Sequence, residues 1–163
     1  MVDDFGIDIA EREREPLDHA AEVGRVGVPV FIKLIEDQEL TFDGLAGSQA
    51  MVLKLVRGLD ISGFSKASLV VRVSSQTFAS TQTVTVEAVP VWPNPAVPET
   101  AFQAATTAGS VILSSGTSAA GKIYAVALSS QVGPALDLQV RAAQVVTPSA
   151  FSVVISVGLL AYE

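Results

Sequence analysis

One histidine, His19, and no cysteine make up the chain's stock of the side chains that most readily hold a metal or act as nucleophile and base near neutral pH. Hydrolytic and metal-dependent catalysis needs several such groups converging on one place. His19 stands alone in a charged N-terminal stretch, where a solvent-exposed ring is expected rather than one buried and tuned for catalysis. The adjacent acids Glu36 and Asp37 could serve a carboxylate mechanism or bind calcium, but EDQE lacks the ladder of oxygen ligands a calcium loop requires and reads as a solvated turn. Serines are many, yet none sits in a G-x-S-x-G elbow, and the Gly/Ser-rich runs GSVILSSG and SSGTSAAG carry no P-loop lysine. These residues predict no catalytic site, no metal and no cofactor. An enzyme with a site invisible in the sequence is the remotest of the readings left open.

The elements that would position any functional residue read as strands. Candidates cover residues 28–35, 39–42, 50–57, 68–75, 81–92, 110–114, 122–129, 135–146 and 150–162, separated by Gly, Pro and Ser breaks. In 135–146, Leu136, Leu138, Val140 and Ala142 alternate with Asp137, Gln139 and Arg141, the pattern of a half-buried strand with a wet face. In 150–162, Phe151, Val153, Ile155, Val157 and Leu159 share one face, while the other mixes Ser, Val, Gly and Leu. The expected fold is all-β: a single antiparallel β-sandwich, jelly-roll-like, of about eight strands over residues 28–163. Ahead of it, residues 1–27 form an acidic arm, extended or short-helical near Pro16.

Charge is distributed unevenly. The net charge is −7, which argues against a partner bound through its phosphates, so nucleic acid is not expected. Residues 1–25 hold eight acids and three arginines, whereas 73–163 hold only Glu87, Glu99, Lys122, Asp137, Arg141 and Glu163. The acidic first residues leave no room for the basic start of a secretory leader. Residues 142–162 are uncharged and about as long as a bilayer is thick, but their polar interruptions and two-residue period predict strand rather than membrane span.

The stretch LVVRVSSQTFASTQTVTVEAVPVW (residues 69–92) sharpens the question, because two strands and the hairpin-like connection between them carry only Arg72 and Glu87 as charges. Val84, Val86, Ala88 and Trp92 share one face of its second strand; Thr83, Thr85, Glu87, Val89 and Val91 share the other. Sheet faces so poor in charge suit burial against other subunits, since interfaces are depleted in charge relative to free surface. Arg72 and Glu87 are therefore candidate interaction residues, together with Phe5, Arg12 and Arg14 of the arm. Trp92, beside a loop holding Pro93, Pro95 and Pro98, either closes one end of the core or forms a stacking platform for a sugar ring.

GLDISGFSKASLVVRV, TVTVEAVPVW and FSVVISVGLLAY together resemble the jelly-roll structural proteins of tailed-bacteriophage virions, capsid decoration proteins above all. The resemblance covers residues 28–162 as an architecture and transfers no functional residue. It implies a homo-oligomer, with a trimer among the allowed forms, docked on a major capsid or other virion protein and located in the virion after assembly in host cytoplasm. The LDISGF entry into a strand also resembles that of carbohydrate-binding sandwiches, which keeps an adhesin-like module as the alternative.

Overall fold

The computed structural model describes residues 29–43, 45, 50–93, 101–103, 107–116, 119–129, 134–144 and 149–162. The expected arm, with Phe5, Arg12 and Arg14, lies outside these residues. Nine strands follow in order: β1 Pro29–Phe42, β2 Ala50–Asp60, β3 Lys66–Gln76, β4 Gln82–Pro93, β5 Ala101–Gln103, β6 Gly109–Ser114, β7 Ile123–Ala127, β8 Ala135–Gln144 and β9 Phe151–Tyr162. No helix occurs among the described residues. Residues 142–162 are divided between the end of β8 and β9, and no helix among the described residues is long and apolar enough to cross a membrane.

Sheet 1 has the order β1-β9-β3-β7; sheet 2 runs β2-β8-β4, with β6 and the three-residue β5 sharing the far edge of β4. All pairings are antiparallel, and they nest: β1 with β9, β2 with β8, β3 with β7, β4 with β6. This is the double Greek key of a jelly roll, so the all-β sandwich is the observed fold. β5 is an addition that the sequence pattern did not signal.

Alternation drives the packing. Leu69, Val71 and Val73 of β3 and Phe151, Val153, Ile155, Val157 and Leu159 of β9 face Val84, Val86 and Ala88 of β4 and Leu136, Leu138, Val140 and Ala142 of β8, all buried. Each buried Val, Leu, Ile or Phe of this set contributes about 1.5–3 kcal/mol. Phe151 closes one end of this core, with Phe42 at 5.3 Å and Phe78 edge-on at 5.7 Å between ring centroids.

Two connections differ from expectation. The EDQE segment does not turn the chain between two strands; β1 runs through it as one bulged strand, with register shifts between Lys33 and Gln38 and a positive φ of 41° at Asp37. The bulge is held from elsewhere in the chain: Asp37 N–H donates to Ser156 Oγ at 3.0 Å, and the Ser74 and Ser156 hydroxyls donate to Asp37 Oδ1. Residues 69–92 are also not a hairpin, since β3 and β4 belong to opposite sheets. The chain crosses over in residues 77–81. There the buried Gln82 amide accepts from Ala79 N–H and donates to Ser149 Oγ, both at 2.8 Å, and Phe78 packs on Phe151.

The two sides of the sandwich are finished differently. On the β6/β7 side, Ala108 N–H donates to Ala88 O and Ser129 N–H to Ala108 O, each at 2.8 Å, joining sheet 2 to the chain leaving β7. Among the described residues no backbone pairing joins β1 to β2 across the other side.

Candidate functional site

On the outer face of sheet 2 the register places Lys54, Gln139, Glu87 and Ser110 in one cross-strand row. Gln139 Nε2 donates to Glu87 Oε2 at 2.7 Å and Arg141 Nε to Oε1 at 3.2 Å, so the Glu87 carboxylate, 7% exposed, is held at both oxygens. Beside it Asp137, 5% exposed, accepts from Lys54 Nζ at 3.1 Å and from Gly58 N–H at 2.8 Å. The second bond depends on Gly58, whose φ of 59° belongs to the left-handed region and falls where β2 shifts register against β8. The expected wet face of β8 is thus corrected: Asp137 and Gln139 are buried, and only Arg141 is exposed. Burial is tolerated because each polar group has a charged or hydrogen-bonding partner across the strands.

On the outer face of sheet 1 a shallow depression of about 290 Å³ is lined by Phe31, Lys33, Val70, Arg72, Ile123 and Gly158, among others. Gly158 forms part of its floor because a Cβ there would stand 2.5 Å from Phe31 Cζ and 2.9 Å from the carbonyl oxygen of Ile32. Phe31 lies across this gap and remains 57% exposed, and Ile123 on the opposite edge strand is 66% exposed. At the rim, the Ser74 and Ser156 hydroxyls, followed by the positive charge of Arg72, hold the Asp37 carboxyl below the usual carboxylate range.

Arg72 and Glu87 therefore lie on different sheets and do not converge. Arg72 lines the depression and attracts Asp37, while Glu87 is internal to a cross-strand network. Trp92 is 39% exposed at the end of β4 where β5 pairs, and its backbone is opposite that of Phe102. The seal at the other end of β4 is the Phe42, Phe78 and Phe151 group. No group of three or more His, Asp or Glu that could hold a metal occurs among the described residues.

The strand expected over residues 50–57 is present as β2, but the sequence did not single out its first residues as an exposed apolar run. Met51, Val52 and Leu53 are 43%, 46% and 41% exposed in succession on an edge strand. The available signal was the absence of alternation in AMVLKLV, which places large apolar groups on both faces.

No protein-family model and no curated protein sequence matches the chain. Similarly shaped solved chains include one from a virus and two from carbohydrate-binding modules. A chain of infectious bursal disease virus, Gx strain, is 10% identical over 84% of this chain and 32% of its own, with a TM-score of 0.47. A carbohydrate-binding module of the β-sandwich superfamily with promiscuous specificity is 14% identical over 84% of this chain and 54% of its own, with a TM-score of 0.43. The family 30 carbohydrate-binding module of a Clostridium thermocellum cellulosomal cellulase is 8% identical over 80% and 96%, with a TM-score of 0.37. This chain thus spans about a third of the first of these and about half of the second.

Proposed function

We propose that the chain is a non-enzymatic structural protein of a virus particle, assembling with copies of itself and decorating or stabilising the coat of a tailed phage. One observation carries this reading: large apolar side chains are exposed along the sheet edges and outer face of a nearly neutral body. Five of the eight exposed large hydrophobic residues lie on the edge strands β1 and β2, and seven lysines and arginines balance seven acids among the described residues. Over residues 28–163 as a whole the balance is seven cations to nine acids, so five of the seven net negative charges belong to residues 1–25. A free monomer seldom keeps such patches, and an exposed apolar edge strand invites association. The jelly roll itself is a recurrent coat-protein architecture, though it also serves lectins. The domain division accompanies this reading, with residues 1–27 as a docking arm and 28–163 as the assembling body.

Sedimentation velocity of the full chain over a wide concentration range should resolve a discrete homo-oligomer; a monomer at every concentration would remove the proposal's support. Deleting residues 1–27 should leave a folded β domain that assembles poorly. A carbohydrate-binding module remains the second reading because Trp92 is exposed at a strand end. That reading expects Trp92→Ala to abolish glycan binding without unfolding, and a glycan array without hits would end it.

A further inference from the structure

Within the assembly reading, on which this rests, we infer that residues 3–10 of a second copy add a strand to the free edge of β2. Among the described residues β2 is hydrogen-bonded on one side only, to β8. Over residues 50–54 that pairing is unbroken, from Ala50 opposite Ala143 to Lys54 opposite Gln139, so the backbone groups on the open side are regularly spaced as well. Met51 and Leu53 lie opposite Ala142 and Val140, both wholly buried, and so point toward the interior of the sandwich. They remain exposed because, among the described residues, no pairing joins β1 to β2 on this side. Val52 on the outer face completes an edge apolar on both faces. A strand added there would satisfy the open backbone groups and cover the interior-facing pair.

The sequence of residues 3–10, DDFGIDIA, fits this seat. Phe5, Ile7 and Ile9 recur at the two-residue period of a strand, with Asp4, Gly6 and Asp8 between them. Laid beside β2, the apolar series meets Met51 and Leu53, and the aspartates meet Arg57 and Lys54, the latter already shared with Asp137 of β8, on a strand with no acid of its own before Asp60. The charges are complementary, because residues 3–10 contain three acids and no cation. Eighteen residues separate Ala10 from Pro29, enough to span up to about 60 Å when extended, several times the width of a four-stranded sheet. A tether this long reaches a neighbouring copy, and reciprocal exchange between two copies buries both edges in one closed interface.

The natural chain has no cysteine, which makes directed cross-linking clean. Full-length Ile7→Cys and Leu53→Cys variants, mixed and oxidised, should give the mixed disulfide dimer about tenfold or more over the pair Ile7→Cys with Ile112→Cys on the opposite, closed side, because docking raises the local thiol concentration. The inference is overturned if the double variant Ile7→Cys/Leu53→Cys instead closes within one chain at dilution, which would assign the edge to the chain's own arm. It is also overturned if Leu53 shows no preference over Ile112 while sedimentation still resolves the oligomer; the assembly reading then stands and this seat is wrong. A chain that neither cross-links nor associates overturns both.

Discussion

The outer face of sheet 2 draws its carboxylates in, whereas the outer face of sheet 1 leaves its largest apolar side chains out. Glu87 and Asp137 are buried and bonded across three strands, while Phe31 and Ile123 stand exposed over a glycine floor. A buried charge with partners in register is a brace, and it marks no ligand. Exposed hydrophobic groups on a neutral face have no such internal use, and they are where contact with another surface should be sought.

Substitutions can break this contrast. Asp137→Ala removes the acceptor of both Lys54 and Gly58, and should cost about 2–3 kcal/mol in denaturant unfolding while leaving any oligomer formed by the remaining protein unchanged. Gly158→Ala, on the other face, should cost about 1–2 kcal/mol because the new methyl meets Phe31 and the backbone of Ile32. Combining it with Phe31→Ala should recover part of that loss, and strict additivity would show that the ring is not seated on the glycine. Phe31→Ser and Ile123→Ser should change stability by no more than about 0.5 kcal/mol yet weaken self-association in sedimentation. A large loss of stability with unchanged association would reverse the roles assigned to the two faces.

The smallest effect is a pH dependence. The folded pKa of Asp37 lies below its ordinary 3.8, so the group contributes stability that is fully present above that value and is lost as pH falls through the lowered one. Acid titration followed by circular dichroism should show this component in the natural chain and lack it in Asp37→Asn. Sheet 2 supplies the control, since Asp137→Ala leaves the Asp37 component in place.

Alternation made much of the sandwich legible. The core faces of β8 and β9 were readable because a two-residue period maps directly onto one side of a sheet. What failed depended on contacts remote in sequence. The continuity of β1 through EDQE rests on hydroxyls 37 and 119 residues away, at Ser74 and Ser156. The separation of β3 from β4 depends on β7 and β9 claiming the first and β6 and β8 the second, which no local turn signal announces. The burial of Asp137 and Gln139 escaped for a related reason: polar alternation is the same whether water or a neighbouring Lys54 and Glu87 satisfies the groups. At the candidate site, Arg72 and Glu87 were found as isolated charges, but their assignment to opposite faces needed the sheet order. For Trp92 the sequence left a core-end and an exposed role both open, for want of any pattern at a strand end.

The nested pairing also sets an order of events in time. Val86 and Val111, in the innermost pair, are 25 residues apart, whereas Pro29 and Tyr162, in the outermost, are 133 apart. Loop closure alone makes the outer encounter about 1.5 kcal/mol less favourable when attempted first, so the chain should zip from β4/β6 outward, at the slow pace of long-range sheets. Pulse-labelled hydrogen exchange during refolding should find amides of β4 protected before those of β1. The strand that guards the β1/β2 side would then be the last to arrive, and during synthesis or refolding that delay is the interval in which a neighbour's segment could take its place.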